Sequence, residues 1–296
     1  MLSIIATSRN DNHGENMFLR MQSFVDCLQY QCGRWKLRAE LILVDWNPPR
    51  DKPELCKSLQ YIANHPYCNV RFITVPPRIH RRIKNHRKLP LFQYIGKNVG
   101  VRHAKGDYIL CTNVDVLFSD KLTRYLAGGY LRKGKVYRVD RHDLLKPHPF
   151  HRSPSHQIWY AHYNVLRVNG NDLVYHKVGN INLHTNGCGD FTLMHRDHWH
   201  HLRGYPEWPM FSMHIDSVLL LETHYSGLKQ HVIPHPIYHI EHSGGFTPET
   251  NDAMWQRLRD IGLPHFTYVE FCKLADDMAA TNKPLRYNTT SWGKYV

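Results

Sequence analysis

A chain of 296 residues with 42% apolar content can bury one large core or two modest ones. Its formal net charge of +13 points to anionic partners: phosphates, nucleic acid or an anionic membrane face. No apolar run approaches the ~18 residues a membrane-spanning helix needs, and seven scattered cysteines without CxxC spacing fit reduced thiols better than a disulfide framework.

Leu2–Thr7 reads as a short apolar strand running into the polar turn Ser8-Arg9-Asn10-Asp11. A strand starting there leaves no room for a signal peptide, so the expected location is cytoplasmic, soluble or peripheral to a membrane. Asn288-Thr-Thr is then not expected to be glycosylated. Met17, Phe18, Met21, Phe24, Val25 and Leu28 recur at helical spacing. Ala39–Val44 is a second buried strand, closed by Asp45-Trp46-Asn47 and the breakers Pro48-Pro49. A helix is expected around Pro53–Ala63 and a strand over Val70–Val75. The basic segment Arg78–Lys88 follows. It reads either as a solvated loop or as a lid whose cations, Arg81, Arg82 and Lys84, close over a diphosphate. No aromatic residues interleave there as nucleic-acid stacking platforms would. Pro90 opens a helix over Ile95–Ala104; a Lys-Gly-Asp turn and the strand Tyr108–Thr112 then deliver Asn113 and Asp115 past the strand's end.

Alternating strands and helices predict an α/β fold with a mostly parallel sheet. The polar residues after the first, second and central strands then converge on one edge, where α/β sheets bind ligands. Neither a Gly-x-Gly-x-x-Gly fingerprint nor a P-loop is present. Lys135–Asp140 (KVYRVD) is a plausible strand and Lys146–His156 an irregular loop; Trp159, Tyr160 and Tyr163 offer rings that could stack against a sugar, with packing the first reading. Gly187 and Gly189 flank Cys188 where the backbone approaches something closely or turns tightly. Helices are expected over Arg196–Leu202 and Met213–Tyr225, with Asp216 in the first turn of the latter, a place its charge suits without any function. The cluster His195, His198, His200 and His201 reads as surface or packing, since zinc needs three or four convergent ligands. Residues 246–296 read as two helices and a tail, whose ending RYNTTSWGKYV suggests no mechanism.

TSRND, LILVDWNPP and KNVGVRHAKGDYILCTNVDVLFS together resemble a GT-A glycosyltransferase of the family-2 type. The resemblance implies a GT-A type wound sheet flanked by helices. It implies a catalytic domain over residues 1–245 (nucleotide-sugar half 1–120, acceptor half 121–245) and a helical extension, 246–296, packed on it. Thr7, Arg9, Asp45 and Asn98 fall at donor-binding positions. Asp115 takes the last place of the family's Asp-x-Asp motif, and Asn113 the first, a departure that removes one negative charge. GYPEWPMFSMHID follows the family's second motif in order and spacing, with Ile215 in place of a Glu and Asp216 at the catalytic base. Asp190 and Glu207 fall at acceptor or sugar contacts. The metal ligands implied are Asp115 and His239, with His242 as second choice.

The activity implied is inverting transfer of a hexosyl or deoxyhexosyl group from a nucleoside-diphosphate sugar, a UDP-sugar first, to a glycan or glycoconjugate hydroxyl. Mn²⁺ or Mg²⁺ assists, and nucleic acid is not an expected partner. Two other readings stay open: a nucleotidyltransferase of similar fold and a non-catalytic basic nucleic-acid-binding protein.

Overall fold

The computed structural model describes residues 1–169, 176–178, 181–242 and 248–296. The first half of the chain alternates strand and helix: β1 (Leu2–Ser8), α1 (Met17–Trp35), β2 (Ala39–Trp46), α2 (Leu55–Ser58), β3 (Cys68–Val75), α3 (Pro77–His80), α4 (Gln93–His103) and β4 (Tyr108–Thr112). Then come β5 (Val116–Phe118), α5 (Asp120–Ala127), β6 (Lys135–Arg138), β7 (Arg141–Leu144), α6 (Pro154–Tyr163), β8 (Val165–Asn169), β9 (His176–Val178), β10 (Ile181–Leu183) and β11 (Phe191–His195). The chain continues through α7 (Arg196–Leu202), α8 (Ile215–Tyr225), β12 (Lys229–Val232), β13 (Ile237–His239), α9 (Pro248–Asp260) and α10 (Tyr268–Thr281).

Seven strands form the central sheet in the order β12-β6-β11-β4-β1-β2-β3. Its ladders are parallel except for those of β11, which runs antiparallel to both β4 and β6. This is the wound, mostly parallel α/β architecture expected from the sequence. Alternation along the strands feeds two cores. Leu2, Ile4 and Ala6 of β1 join Met21, Phe24, Val25 and Leu28 of α1 on one face, while Ile5 joins Ile42, Val44, Ile95 and Val99 on the other. Strands covered on both faces read as continuous apolar runs. Helix α4 lies against β1 because two of its residues lack side chains. A Cβ on Gly96 would stand 2.3 Å from Thr7 Cγ2, and one on Gly100 2.2 Å from Ile5 Cγ2.

From β1 the sheet winds one way to β2 and β3, and the other way to β4. The crevice at such a reversal is where open α/β sheets take ligands. A second sheet, β5-β13-β7-β8, starts immediately beyond Asp115. Helix α10 opens with a capping box between Thr267 and Glu270 and buries Phe271, Ala275 and Met278 against Val218, Leu220 and Leu221 of α8. The tail folds back over the main core, with Trp292 3% exposed. No helix among the described residues is long and apolar enough to cross a membrane.

The helix expected around Pro53–Ala63 shrinks to the single turn of α2. Two glutamines of α1 compete for the backbone there. Gln22 both donates to Gln60 O and accepts from Gln60 N, and Gln29 does the same at Ile62. Such side-chain amides satisfy the backbone in a non-helical path. Lys146–His156 is irregular only as far as Ser153, whose hydroxyl caps α6. Phe18, placed in the buried stripe of α1, is 39% exposed. Trp159 and Tyr163 do not pack inward either, being 55% and 67% exposed on α6.

Candidate active site

Asp115 links β4 to β5, and the second sheet builds the site around it. β13 pairs antiparallel with β5, His239 opposite Val116, and Ile240 N donates to Asp115 O at 2.9 Å. That ladder carries two imidazoles to the carboxylate: His242 Nε2 lies 3.4 Å and His239 Nε2 3.9 Å from Asp115 Oδ2. Ligand atoms of the three residues all fall within 4.8 Å of one another. In the parallel register of β13 with β7, His239 stands opposite Asp143, and its Nδ1 lies 3.1 Å from Asp143 Oδ1. A carboxylate on the far ring nitrogen orients an imidazole so that the other nitrogen can act as a ligand. The buried Asp115 Oδ1 has no hydrogen-bond partner among the described residues, leaving a lone-pair site open. One carboxylate and two imidazoles fit a divalent cation by donor chemistry.

Arg20 enters the same centre from α1. It is 1% exposed and donates from Nη1 to Asp115 Oδ2 at 2.9 Å. Its Nη2 donates to His13 O and Glu15 O. Burial alone would raise the Asp115 pKa; the His242 hydrogen bond and the charges of His239, His242 and Arg20 override it and hold the carboxyl well below its usual range.

Past β4, Asn113 is held from both sides. Its Oδ1 accepts from Gln93 Nε2 at 2.6 Å and from the buried Lys97 Nζ at 2.8 Å, and its Nδ2 donates to Asp190 Oδ1 at 2.5 Å. Arg141 Nη1 donates to the other Asp190 oxygen at 2.8 Å. The fully buried Arg138 shapes the loop that carries Asp190, donating to the carbonyls of His184 and Asn186. These groups edge a cavity of about 460 Å³ whose walls include Asn113, Arg141, Asp190, Asp216, Tyr268 and Phe271. Asp216, in the first turn of α8, accepts from Ser217 N through Oδ1. A Cβ on Gly189 would come within 2.7 Å of Tyr94 Oη and 3.0 Å of Asp216 Oδ2, so only glycine lets that loop pass. Burial foremost, then the charge of Asp216, raises the Tyr94 pKa, keeping the phenol protonated beside the carboxylate.

A second cavity of about 310 Å³ shares Gln93, Tyr94, Phe211 and Ser212 with the first and extends past Arg9, Phe92, Trp208 and Leu258. Of the donor-half residues, Arg9 lines it, with its guanidinium on Asp11 and Asn47 O. Thr7 and Asp45 lie beneath the surface, 5% and 1% exposed, each with one buried oxygen unpartnered among the described residues. Asp45 also accepts from Leu55 N at 2.8 Å, and burial pushes its pKa up to about 6.

Other expected contacts fall elsewhere. Asn98 and Glu207 edge neither cavity. Asn98 is spent on Tyr205 N, Tyr205 O and Glu207, and Glu207 accepts from Gly293 N and Tyr295 Oη as the anchor of the tail. Arg81, Arg82 and Lys84 are exposed and also edge neither. Their segment is tied down by Asn85 to Pro209 O and by Lys88 to Gly262 O, and Lys88 is the cation of that run that reaches the smaller cavity. His195 and His198 serve structure, accepting from Asp197 N and Gly134 N.

Sequence reading missed Arg20, Lys97, Arg141 and Asp143. Arg20 had a signal: it falls three residues after Met17 and one before Met21, inside the apolar stripe of α1, where an arginine needs a buried partner.

No family model matches the sequence, and no curated protein does. Similar solved structures include the mannosyltransferase PcManGT from Pyrobaculum calidifontis in complex with GDP-Man and Mn²⁺, at 12% identity, covering 95% of this chain and 73% of that one, with a TM-score of 0.48. Residues 1–349 of S. aureus TarS match at 10% identity over 94% and 71% of the two chains, with a TM-score of 0.47. The catalytic domain of Drosophila beta1,4-galactosyltransferase 7, in complex with xylobiose, matches at 12% over 91% and 82%, with a TM-score of 0.42.

Proposed function

We propose that this chain is an inverting, metal-assisted glycosyltransferase that moves a hexosyl group from a nucleoside-diphosphate sugar to a hydroxyl of a glycan or glycoconjugate. The observation that carries this reading is the gathering of Asp115, His239 and His242 at the sheet's reversal point, with Asp216 in the cavity edged by Asn113. Asp115, His239 and His242 would hold Mn²⁺ or Mg²⁺, which when bound neutralises charge on a departing diphosphate. The smaller cavity, with apolar walls and Arg9 at its edge, suits the nucleoside. Asn113, Asp190 and Arg141 offer hydrogen bonds to sugar hydroxyls. Asp216 accepts the proton of the attacking hydroxyl, oriented by Tyr94. A single displacement with one base inverts the anomeric centre.

A thermal-shift series with UDP- and GDP-sugars, with and without Mn²⁺, tests the donor assignment, because a bound donor stabilises by mass action. A metal-dependent rise in Tm with at least one nucleotide sugar is expected. If none of them stabilises the protein while a nucleoside triphosphate does, and pyrophosphate is then released, the nucleotidyltransferase reading replaces this one.

A further inference from the structure

The cation centre is unusual in its charge. Asp115 is already paired with Arg20 at 2.9 Å. Around it, Asp190 is paired with Arg141, Asp143 with Arg141 and Arg167, and Glu241 lies 3.9 Å from Arg167. Lys97, buried with its ammonium on Asn113 Oδ1 and Gly189 O, adds a further cation, and Asn113 brings no charge to offset it. Each of these carboxylates therefore faces a guanidinium, and the imidazoles of His239 and His242 bring no negative charge. A dication entering alone would meet suitable donor atoms but no net attraction, and would lie close to the Arg20 guanidinium.

Arg20 cannot simply swing away. It is buried, and Nη2 is fastened to the carbonyls of His13 and Glu15. That loop is itself fixed in an uncommon path, with Gly14, Glu15 and Asn16 all at positive φ (67°, 64° and 49°). Non-glycine residues hold such a conformation only where their surroundings over-determine it.

We infer that Arg20 is a resident counter-ion that cancels the charge of the Asp115 carboxylate, so a divalent cation binds tightly at Asp115, His239 and His242 only together with a diphosphate. This rests on the reading of those three residues as a cation site. The diphosphate would supply the missing negative charge. Metal and donor accordingly bind with strong positive coupling, reciprocal by linkage.

The test is a Mn²⁺ titration followed by the electron paramagnetic resonance signal of the free ion. It is run alone and with UDP or GDP, correcting for Mn²⁺ held by the nucleotide in solution. In the wild type, Mn²⁺ should bind at least tenfold more tightly with the nucleotide present. Arg20→Gln, checked for fold by circular dichroism, should bind Mn²⁺ alone about tenfold more tightly than wild type, with the nucleotide's effect reduced to threefold or less. Arg20→Lys retains the charge and should keep most of the coupling. Equal wild-type affinity with and without nucleotide overturns the inference, even should the Gln variant not fold. So does an Arg20→Gln variant that folds but binds Mn²⁺ alone no better than wild type. If Asp115→Asn leaves Mn²⁺ binding unchanged, or no Mn²⁺ binds under any condition, the cation site itself is refuted, an outcome distinct from failure of the Arg20 role.

Discussion

Lys97 Nζ lies 2.8 Å from Asn113 Oδ1 and 2.7 Å from Gly189 O, a fully buried ammonium tying the end of β4 to the loop that carries Asp190. Asn113 is thus a connector: its carbonyl is taken up by Lys97 and Gln93, and its amide is given to Asp190. An asparagine rather than a carboxylate at position 113 has a local reason. A carboxylate at 113 would face Asp190 across the 2.5 Å now spanned by an amide hydrogen bond.

Asn113→Asp should therefore destabilise the protein in a pH-dependent way. Two carboxylates in contact raise the pKa of at least one of them. A folded-state pKa above the unfolded value gives stability that is present at low pH and lost as pH rises through the folded pKa. The loss relative to wild type should be small near pH 4 and reach about 1–3 kcal/mol by pH 8, read from urea unfolding across that range. A constant loss at every pH would show that repulsion with Asp190 is not the cause.

Asp45 gives a second pH signature, with the same sign. Burial raises its pKa from 3.8 to about 6, partly opposed by the Leu55 N–H. The unfolded chain ionises this group first, so stability falls between about pH 4 and 6, and the penalty is complete above that. It amounts to roughly 3 kcal/mol. Asp45→Asn keeps the acceptor for Leu55 N without the charge. Relative to wild type, that variant should gain stability from pH 4 to pH 7; parallel urea profiles would contradict the assignment.

Asp115→Ala removes a proposed cation ligand and also strands a buried guanidinium. Breaking a buried pair from one side costs about 3–5 kcal/mol. The double variant Arg20→Met/Asp115→Ala should lose clearly less than the sum of the two single losses. Chemical denaturation of the four proteins decides it, and strict additivity would mean the pair is not coupled.

Asp216→Asn retains size and helix-start position, so fold and donor affinity should survive while transfer falls by about 10²–10⁴-fold. Donor affinity is read by thermal shift and transfer by product formation. Near-full turnover, or a product with retained anomeric configuration, removes Asp216 from the mechanism.

Tyr295→Phe tests the tail. Tyr295 Oη donates to Glu207 Oε2 at 3.0 Å, and burial first, then the charge of Glu207, raises the phenol's pKa. Losing this bond to a charged acceptor should cost about 1.5–3 kcal/mol, seen as a lower Tm, with donor affinity unaffected because Glu207 edges neither cavity.

What the sequence determined by itself was whatever depends on near neighbours. The buried apolar runs of β1 and β2, the helical spacing of apolar residues in α1 and the position of Asp115 after β4 follow from periodicity and from contacts between adjacent elements. His239 and His242 could be named as candidate ligands, but Asp143, 96 residues before His239, could not: the β13–β7 register that pairs them is decided by sheet assembly. The same holds where long-range contacts override local preference. Gln22 and Gln29 unwind the expected 53–63 helix, and the tail is held by Glu207, Arg203 and Tyr205. Buried charges such as Arg20 and Lys97 are the extreme case. Their side chains are tolerable only with partners far off in the chain, at Asp115 for Arg20, and at Asn113 and the Gly189 carbonyl for Lys97. Only the tertiary structure brings such partners into reach, because no local pattern encodes a contact made across 95 residues.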